Sequence, residues 1–288
     1  MPRQCAHWLA MTVVGGTLAE PSYVSEINDH FSASPAPGGA AAWGVPVRRF
    51  PIPKFALHIF LLFFPLFHGI TKRKNKGKIP MQEKVNEIIA ILKNRYADAL
   101  CALHYEKDYE LMIAVRLSAQ CTDARVNMVT PALFDAYPTL EAMAGADIGR
   151  VEELIHSCGF YKHKARDIVL ACQMLISDYG GKVPGTMEQL LRLPGVGRKT
   201  ANLLLGDLYA VPGSVVCDTH CIRICGRLGL SSGKEPEKVE QQLRAILPPE
   251  ESSDFCHRIV LFGRDCCTAR NPKCGECPLS IYCKEFNP

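Results

Sequence analysis

The sequence has no stretch in which polar and apolar residues alternate as they would along a half-buried strand, which argues against a sheet or barrel fold. It has little net charge, +4 over 288 residues, and that charge is unevenly placed. Residues 1–80 hold nine Lys and Arg against three Asp and Glu, whereas residues 81–288 hold 24 against 26. The larger segment therefore lacks the overall positive charge of many polyanion binders. An anionic partner would have to be met there by a local basic face and by backbone donors. No apolar run is long enough for a comfortable membrane crossing. Phe55–Ile70 is 16 residues long and contains His58, Pro65 and His68, which is marginal against the ~20 a span needs. It also lies too far into the chain for a secretory signal. Cysteine, by contrast, is plentiful at fourteen, yet no disulfide framework is visible. Cys101, Cys158, Cys172, Cys221 and Cys225 sit singly in apolar helical stretches and read as small buried residues of a reduced protein.

The chain divides at about residue 80. Before it come a Pro/Gly/Ala-rich loop (Ser34–Gly39), the apolar run and the basic stretch Lys72–Lys78. Interpretable pattern starts at Met81. Residues 1–80 are therefore expected to lie outside the natural protein, with translation starting at Met81. The alternatives are a disordered basic tail that helps hold a polyanion, and a membrane or targeting extension. From Met81 onward the pattern is helical. Val85, Ile88, Ile89, Ile91 and Leu92 form one apolar face. Asp108 precedes a helix over 109–118, Asp123 one over 124–137, and Thr139 and Asp147 start two short ones. A helix over 164–179 ends at Gly180-Gly181. Thr186 and Gln189 form a capping box before 187–191. Further helices fit 219–228, 236–247 and 253–263. The expected class is all-α with short connections.

Between two of these helices lies Leu193-Pro194-Gly195-Val196-Gly197-Arg198-Lys199-Thr200-Ala201-Asn202. Pro194 stops the first helix, and Gly195 and Gly197 permit a tight turn with unusual dihedrals. The turn leads into a helix N-terminus, whose N–H groups can receive a phosphate brought close by the absent side chains. This is the helix-hairpin-helix means of gripping a DNA backbone without reading its sequence. Near the C-terminus, Cys267, Cys274, Cys277 and Cys283 are separated by six, two and five intervening residues. Four thiolates within seventeen residues can enclose one metal centre, and ligand type alone allows zinc or a 4Fe–4S cluster. Cys266 is excluded because it would lengthen the first gap to seven. Arg270 and Lys273 lie in the loop between the first two ligands and are candidates for phosphate contact.

With the hairpin string, the cysteine array and Asp218 nineteen positions after Lys199, the chain resembles the endonuclease III family of helix-hairpin-helix glycosylases from about Met81 to Cys283. The resemblance implies two helical lobes flanking a DNA cleft. Residues 101–212 would form a six-helix barrel with the hairpin at 187–210, and residues 81–100 with 213–288 the iron–sulfur lobe. It implies a 4Fe–4S cluster and a bifunctional enzyme of base excision repair. Lys199 would be the nucleophile and Asp218 the essential carboxylate. An amine can displace a base at the anomeric carbon and go on to an imine, whose acidified neighbouring carbon allows β-elimination; a hydroxyl nucleophile lacks that electron sink. The amine must be neutral to attack, and a position at a helix N-terminus beside Arg198 favours that form. Asp218 followed by Thr219-His220 is also a good helix cap, and His220 has a supporting role.

The resemblance further assigns Gln120, in Leu117-Ser118-Ala119-Gln120-Cys121-Thr122-Asp123, to filling the gap left by a flipped base. Phe160 falls at the second wedge position, where the family pattern has an aliphatic residue. Gly195, Val196, Gly197, Arg198 and Thr200 fall in the phosphate-binding turn. The expected partner is double-stranded DNA carrying oxidised pyrimidines or abasic sites. The expected enzyme is a monomer, cytoplasmic and nucleoid-associated, with no stable membrane attachment. Two other readings compete. A monofunctional mismatch glycosylase is opposed by Lys199 and by the lack of a C-terminal mismatch-reading domain. A non-catalytic iron–sulfur DNA-binding protein is opposed by Lys199 and Asp218 in register.

Overall fold

The computed structural model describes residues 79–286. Among them are eleven α-helices and no strand: α1 (Met81–Arg95), α2 (Asp108–Ser118), α3 (Asp123–Ala136), α4 (Leu140–Ala144), α5 (Ile148–Leu154), α6 (Tyr161–Tyr179), α7 (Met187–Leu190), α8 (Arg198–Tyr209), α9 (Thr219–Arg227), α10 (Pro236–Ile246) and α11 (Ser252–Asp265). The fold is all-α. Phe55–Ile70 and Lys72–Lys78 lie outside the described residues. Among those described, no helix is long and apolar enough to cross a membrane.

Short polar residues set most helix starts. Thr139, Asp147, Thr186 and Asp218 accept the N–H three residues on, satisfying one of the orphan donors of each first turn. Asp108 and Asp123, expected just before their helices, are the first helical residues. Thr122 caps α3. At α2 the buried Glu110 reaches back to the N–H groups of Glu106 and Lys107. The expected box at Thr186 is half made, because Gln189 Oε1 takes the Thr186 hydroxyl rather than the backbone N–H. Helix α6 begins three residues before its expected start, since the left-handed Phe160 (φ 58°) ends the preceding turn. Its end at Gly180, with φ 59°, is the expected C-cap.

The helices bury two separate apolar cores. One is built from residues 103–205, with Leu111, Ile113, Leu117, Leu133, Leu175 and Leu204 at its centre. Here α6 is the hub, packed against α2, α4 and α5, while α8 packs on α2 and α7. The other joins α1, through Val85, Ile88, Ile89 and Leu92, to α9, α10 and α11. Ile91 lies at its edge, not within it. Leu203 of α8 touches both cores. Polar ties also cross between them, from Arg198 to Glu240, from Asp207 to His257 and from Asp123 to Arg264. Cys158, Cys172, Cys221 and Cys225 are buried as expected, whereas Cys101 is only half-buried.

Candidate active site

The turn between α7 and α8 shows why its residues are what they are. Leu190, Leu193 and Val196 anchor it in the first core. Gly195 has φ 74°, and a Cβ there would strike the Arg116 side chain and lie 2.9 Å from Asp167 Oδ2. Arg116 and Asp167 form an ion pair beneath the turn, with Nε and the terminal nitrogen 2.9 and 2.6 Å from the same oxygen. Gly195 is thus required by conformation and by space. Gly197 differs from the expectation of unusual dihedrals: its backbone is extended (φ −96°, ψ 177°) and a Cβ would meet nothing within 4 Å. As the N-cap of α8 it offers no side chain to the first-turn N–H groups. The helix N-terminus therefore stays uncovered and open to an anion.

Lys199 is exposed in the first turn of α8, and its amine makes no hydrogen bond or ion pair among the described residues. Thr200 beside it is half-buried. Arg198 does not bear on the amine as expected. Its guanidinium is held by Glu240, Nε to Oε2 at 2.8 Å and the terminal nitrogen to Oε1 at 2.9 Å, and that partner raises its pKa. Glu240 is 2% exposed and also pairs with Arg244 at 3.1 Å, which donates to Asn202 at 2.9 Å. A pocket of about 360 Å³ beside Lys199 is bounded by Arg198, Cys217, Glu235, Pro236, Glu237 and Glu240. A larger hollow of about 800 Å³, lined by Leu100–Lys107 and parts of α3, α8 and α11, contains none of the candidate residues.

Asp218 caps α9, its Oδ1 accepting from Cys221 N at 2.7 Å. The cap fixes the carboxyl group and leaves its other oxygen without a hydrogen bond among the described residues. His220, two residues on, is half-buried. Burial lowers its pKa, with Arg223, Arg264 and Lys199 acting the same way and Asp218 opposing. Lys199 of α8 and Asp218, the N-cap of α9, thus act in opposite senses on one imidazole. His220 Nδ1 faces an Arg223 N–H at 3.2 Å, so the neutral ring accepts there and carries its proton on Nε2. A Cβ on Gly263 of α11 would strike that ring, so the glycine makes room for it.

Gln120 and Phe160 both have positive φ, 54° and 58°, a cost non-glycine residues carry only where surrounding contacts hold them. Gln120 is exposed, and Phe160 presents 65% of its surface.

In the C-terminal array, Cys267 is tied to the second core from three sides. Its N–H donates to Phe262 O at 2.9 Å, its carbonyl accepts from Arg223 at 2.8 Å, and its sulfur accepts from Arg227 at 3.3 Å. Short 3₁₀ turns at Cys274–Glu276 and Ser280–Tyr282 carry the chain on to Cys277 and Cys283. Cys274 is exposed, Cys267, Cys277 and Cys283 are partly buried, and Cys266 is buried in the core. The four sulfurs make an all-thiolate donor set of the kind that a 4Fe–4S group takes. Arg270 is exposed and unpaired among the described residues, while Lys273 lies 3.6 Å from Asp265 and is partly neutralised.

Glu240, Arg223 and Arg227 were missed in the sequence. The two arginines had a signal, since Arg223 and Arg227 follow His220 at i+3 and i+7 on one face of α9. Glu240 had none, because on an amphipathic helix it looks like any solvated acid.

Comparison with known proteins supplies the rest. Residues 113–249 match the HhH-GPD superfamily base excision DNA repair protein model, and residues 267–283 the iron-sulfur binding domain of endonuclease III. The chain is 45% identical to endonuclease III of Synechocystis sp. over 202 residues, 70% of this chain and 92% of that protein. It is 37% identical to endonuclease III of Escherichia coli over 198 residues, 69% and 93%. A solved endonuclease III trapped as a covalent intermediate with DNA superposes with TM-score 0.67 at 41% identity, over 71% of this chain and 96% of that one. A thermostable thymine-DNA glycosylase, 21% identical with TM-score 0.62, shares the fold.

Proposed function

The chain belongs to the endonuclease III family and is a DNA glycosylase and AP lyase of base excision repair; from that premise we propose that it removes oxidised or ring-saturated pyrimidines from duplex DNA, as a monomer, with Lys199 as nucleophile. The observation that carries this reading is the placement of Lys199, an unpaired amine in the first turn of α8, whose N-cap offers no side chain, with Asp218 fixed as the N-cap of α9.

We read the two apolar cores as the two walls of the DNA cleft: residues 101–212 on one side, 81–100 with 213–288 on the other. The turn through Gly195, Val196 and Gly197 and the first N–H groups of α8, Thr200 included, grip a phosphate. Arg198 acts on that turn through Glu240, anchoring the start of α8, rather than as a free cation. Gln120 and Phe160 fill the space left by the extruded nucleotide. Lys199 Nζ attacks the anomeric carbon as the base leaves, and Asp218 stabilises the positive charge on the sugar and takes the amine's proton. Cleavage of the C1′–O4′ bond, with the amine's proton passing through Asp218 to O4′, opens the sugar and turns the adduct into an imine; this acidifies the C2′–H, and loss of that proton expels the 3′ phosphate. His220, neutral and fixed by Arg223, keeps an N–H on the same side.

Cys267, Cys274, Cys277 and Cys283 hold a 4Fe–4S cluster, which supplies a staple for the loop that presents Arg270 and Lys273 to phosphates. Arg223 links the His220 ring to the Cys267 carbonyl, so the loop and the site share one support.

Excision from duplexes that each carry one lesion tests the substrate class. Release of thymine glycol at least about tenfold faster than of 8-oxoguanine or mismatched thymine is the expected result. Faster release of either comparison base would overturn the pyrimidine assignment and leave the lyase standing.

A further inference from the structure

Lys164, in the first turn of α6, is a charged side chain that no step above uses. It is 1% exposed. Its ammonium donates to Leu117 O at 2.8 Å and to Ala119 O at 2.7 Å. Burying a cation is costly unless its protons are taken up, and burial lowers its pKa. The carbonyl end of α2 is a favourable place for such a charge. An orphan carbonyl at a helix end can equally be satisfied by water or by a short loop turn. Stabilising a helix end therefore does not explain why a long side chain from another helix lies buried here.

What the two carbonyls flank does explain it. Ala119 directly precedes Gln120, and the Lys164 N–H donates to Phe160 O at 3.2 Å. One residue thus closes the turn after Phe160 with its main chain and the turn before Gln120 with its side chain. Gln120 and Phe160 are two of only three non-glycine residues with positive φ among those described. The two loops also touch, since a Cβ at Gly159 would lie 3.8 Å from Gln120 O. Three residues further along α6, Asp167 holds Arg116, the side chain that lies under Gly195.

We propose that Lys164 is a positioning residue that locks the Gln120 and Phe160 loops in register, so that both side chains enter the duplex as one unit. The inference rests on the reading of those two residues as wedges. It predicts a defect confined to duplex substrates, because a single strand has no stack to open and no gap to fill.

The test compares two rates for the full chain with its cluster: excision of thymine glycol from a duplex, and nicking at an abasic site in a single strand. Lys164→Met removes the donors at similar volume, and Lys164→Gln keeps a shorter donor in case the methionine variant does not fold. Melting temperature and cluster absorbance report folding. The duplex-to-single-strand rate ratio should fall on the order of tenfold or more in Lys164→Met, and about threefold in Lys164→Gln. An unchanged ratio in a folded variant, or failure of both variants to fold, would overturn the proposal. Gln120→Ala and Phe160→Ala separate the two layers. If they leave the ratio unchanged, the wedge reading itself fails. If they lower it and the Lys164 variants do not, only the role of Lys164 fails.

Discussion

Gly195 and Gly197 look interchangeable in the sequence, and the structure separates them sharply enough to predict opposite phenotypes. An alanine at 195 must adopt φ near 74°, which costs a non-glycine residue roughly 1–2 kcal/mol. Its methyl group would also enter the space of Arg116 and crowd Asp167. That ion pair is mostly buried, with 20% and 26% of the two side chains exposed, and loosening it costs about 1 kcal/mol. Gly195→Ala should therefore lower unfolding stability by about 2–3 kcal/mol. At 197 the backbone is extended and the added methyl meets nothing. The weaker N-cap preference of alanine and the reduced freedom of its unfolded chain nearly offset, leaving stability within about 0.5 kcal/mol. The methyl would instead stand where a phosphate approaches α8, and duplex affinity should fall about tenfold, or 1.4 kcal/mol. Urea denaturation at constant slope reads the first quantity and a binding titration at fixed salt the second. If Gly197→Ala destabilises as much as Gly195→Ala, the assignment of one glycine to the fold and the other to the ligand is wrong.

Two other outcomes follow from the same geometry. Cys274→Ser should lose the brown absorbance of the cluster and weaken duplex binding together, and a colourless wild-type protein with one equivalent of zinc would remove the iron assignment. His220 has a folded pKa below its unfolded 6.5, so below that pH it binds fewer protons folded than unfolded. Stability must then drop as pH falls through 6.5 toward the folded value. His220→Asn should flatten that part of the profile in melts between about pH 7 and 5, and an unaltered profile would contradict the assignment of that limb to His220.

The sequence made local features legible and left cross-chain ones hidden. Thr139, Asp147, Thr186 and Asp218 could be read as caps because a cap is defined within four residues. The Gly180 stop and the apolar faces of the helices were legible for the same reason. The start of α6 falls three residues before the expected one because it depends on a left-handed Phe160, a conformation favoured by nothing in that side chain. Asp108 and Asp123 read as lying just before their helices because aspartate suits both the cap and the first turn, and the neighbouring Thr122 and Glu110 decide between them. Arg198 shows the same limit at the site. Beside Lys199 it reads as a free cation, and only a glutamate forty-two positions away reveals otherwise. The cysteine spacing and the hairpin string carried the family, since both compress a functional site into fewer than twenty consecutive residues.

The most direct test of the central claim is sodium borohydride trapping on a duplex with one thymine glycol. The wild-type chain should form a covalent protein–DNA adduct, and Lys199→Ala should form none while binding the duplex within about tenfold of wild type. An adduct that survives in Lys199→Ala would place the nucleophile on another residue and contradict the account.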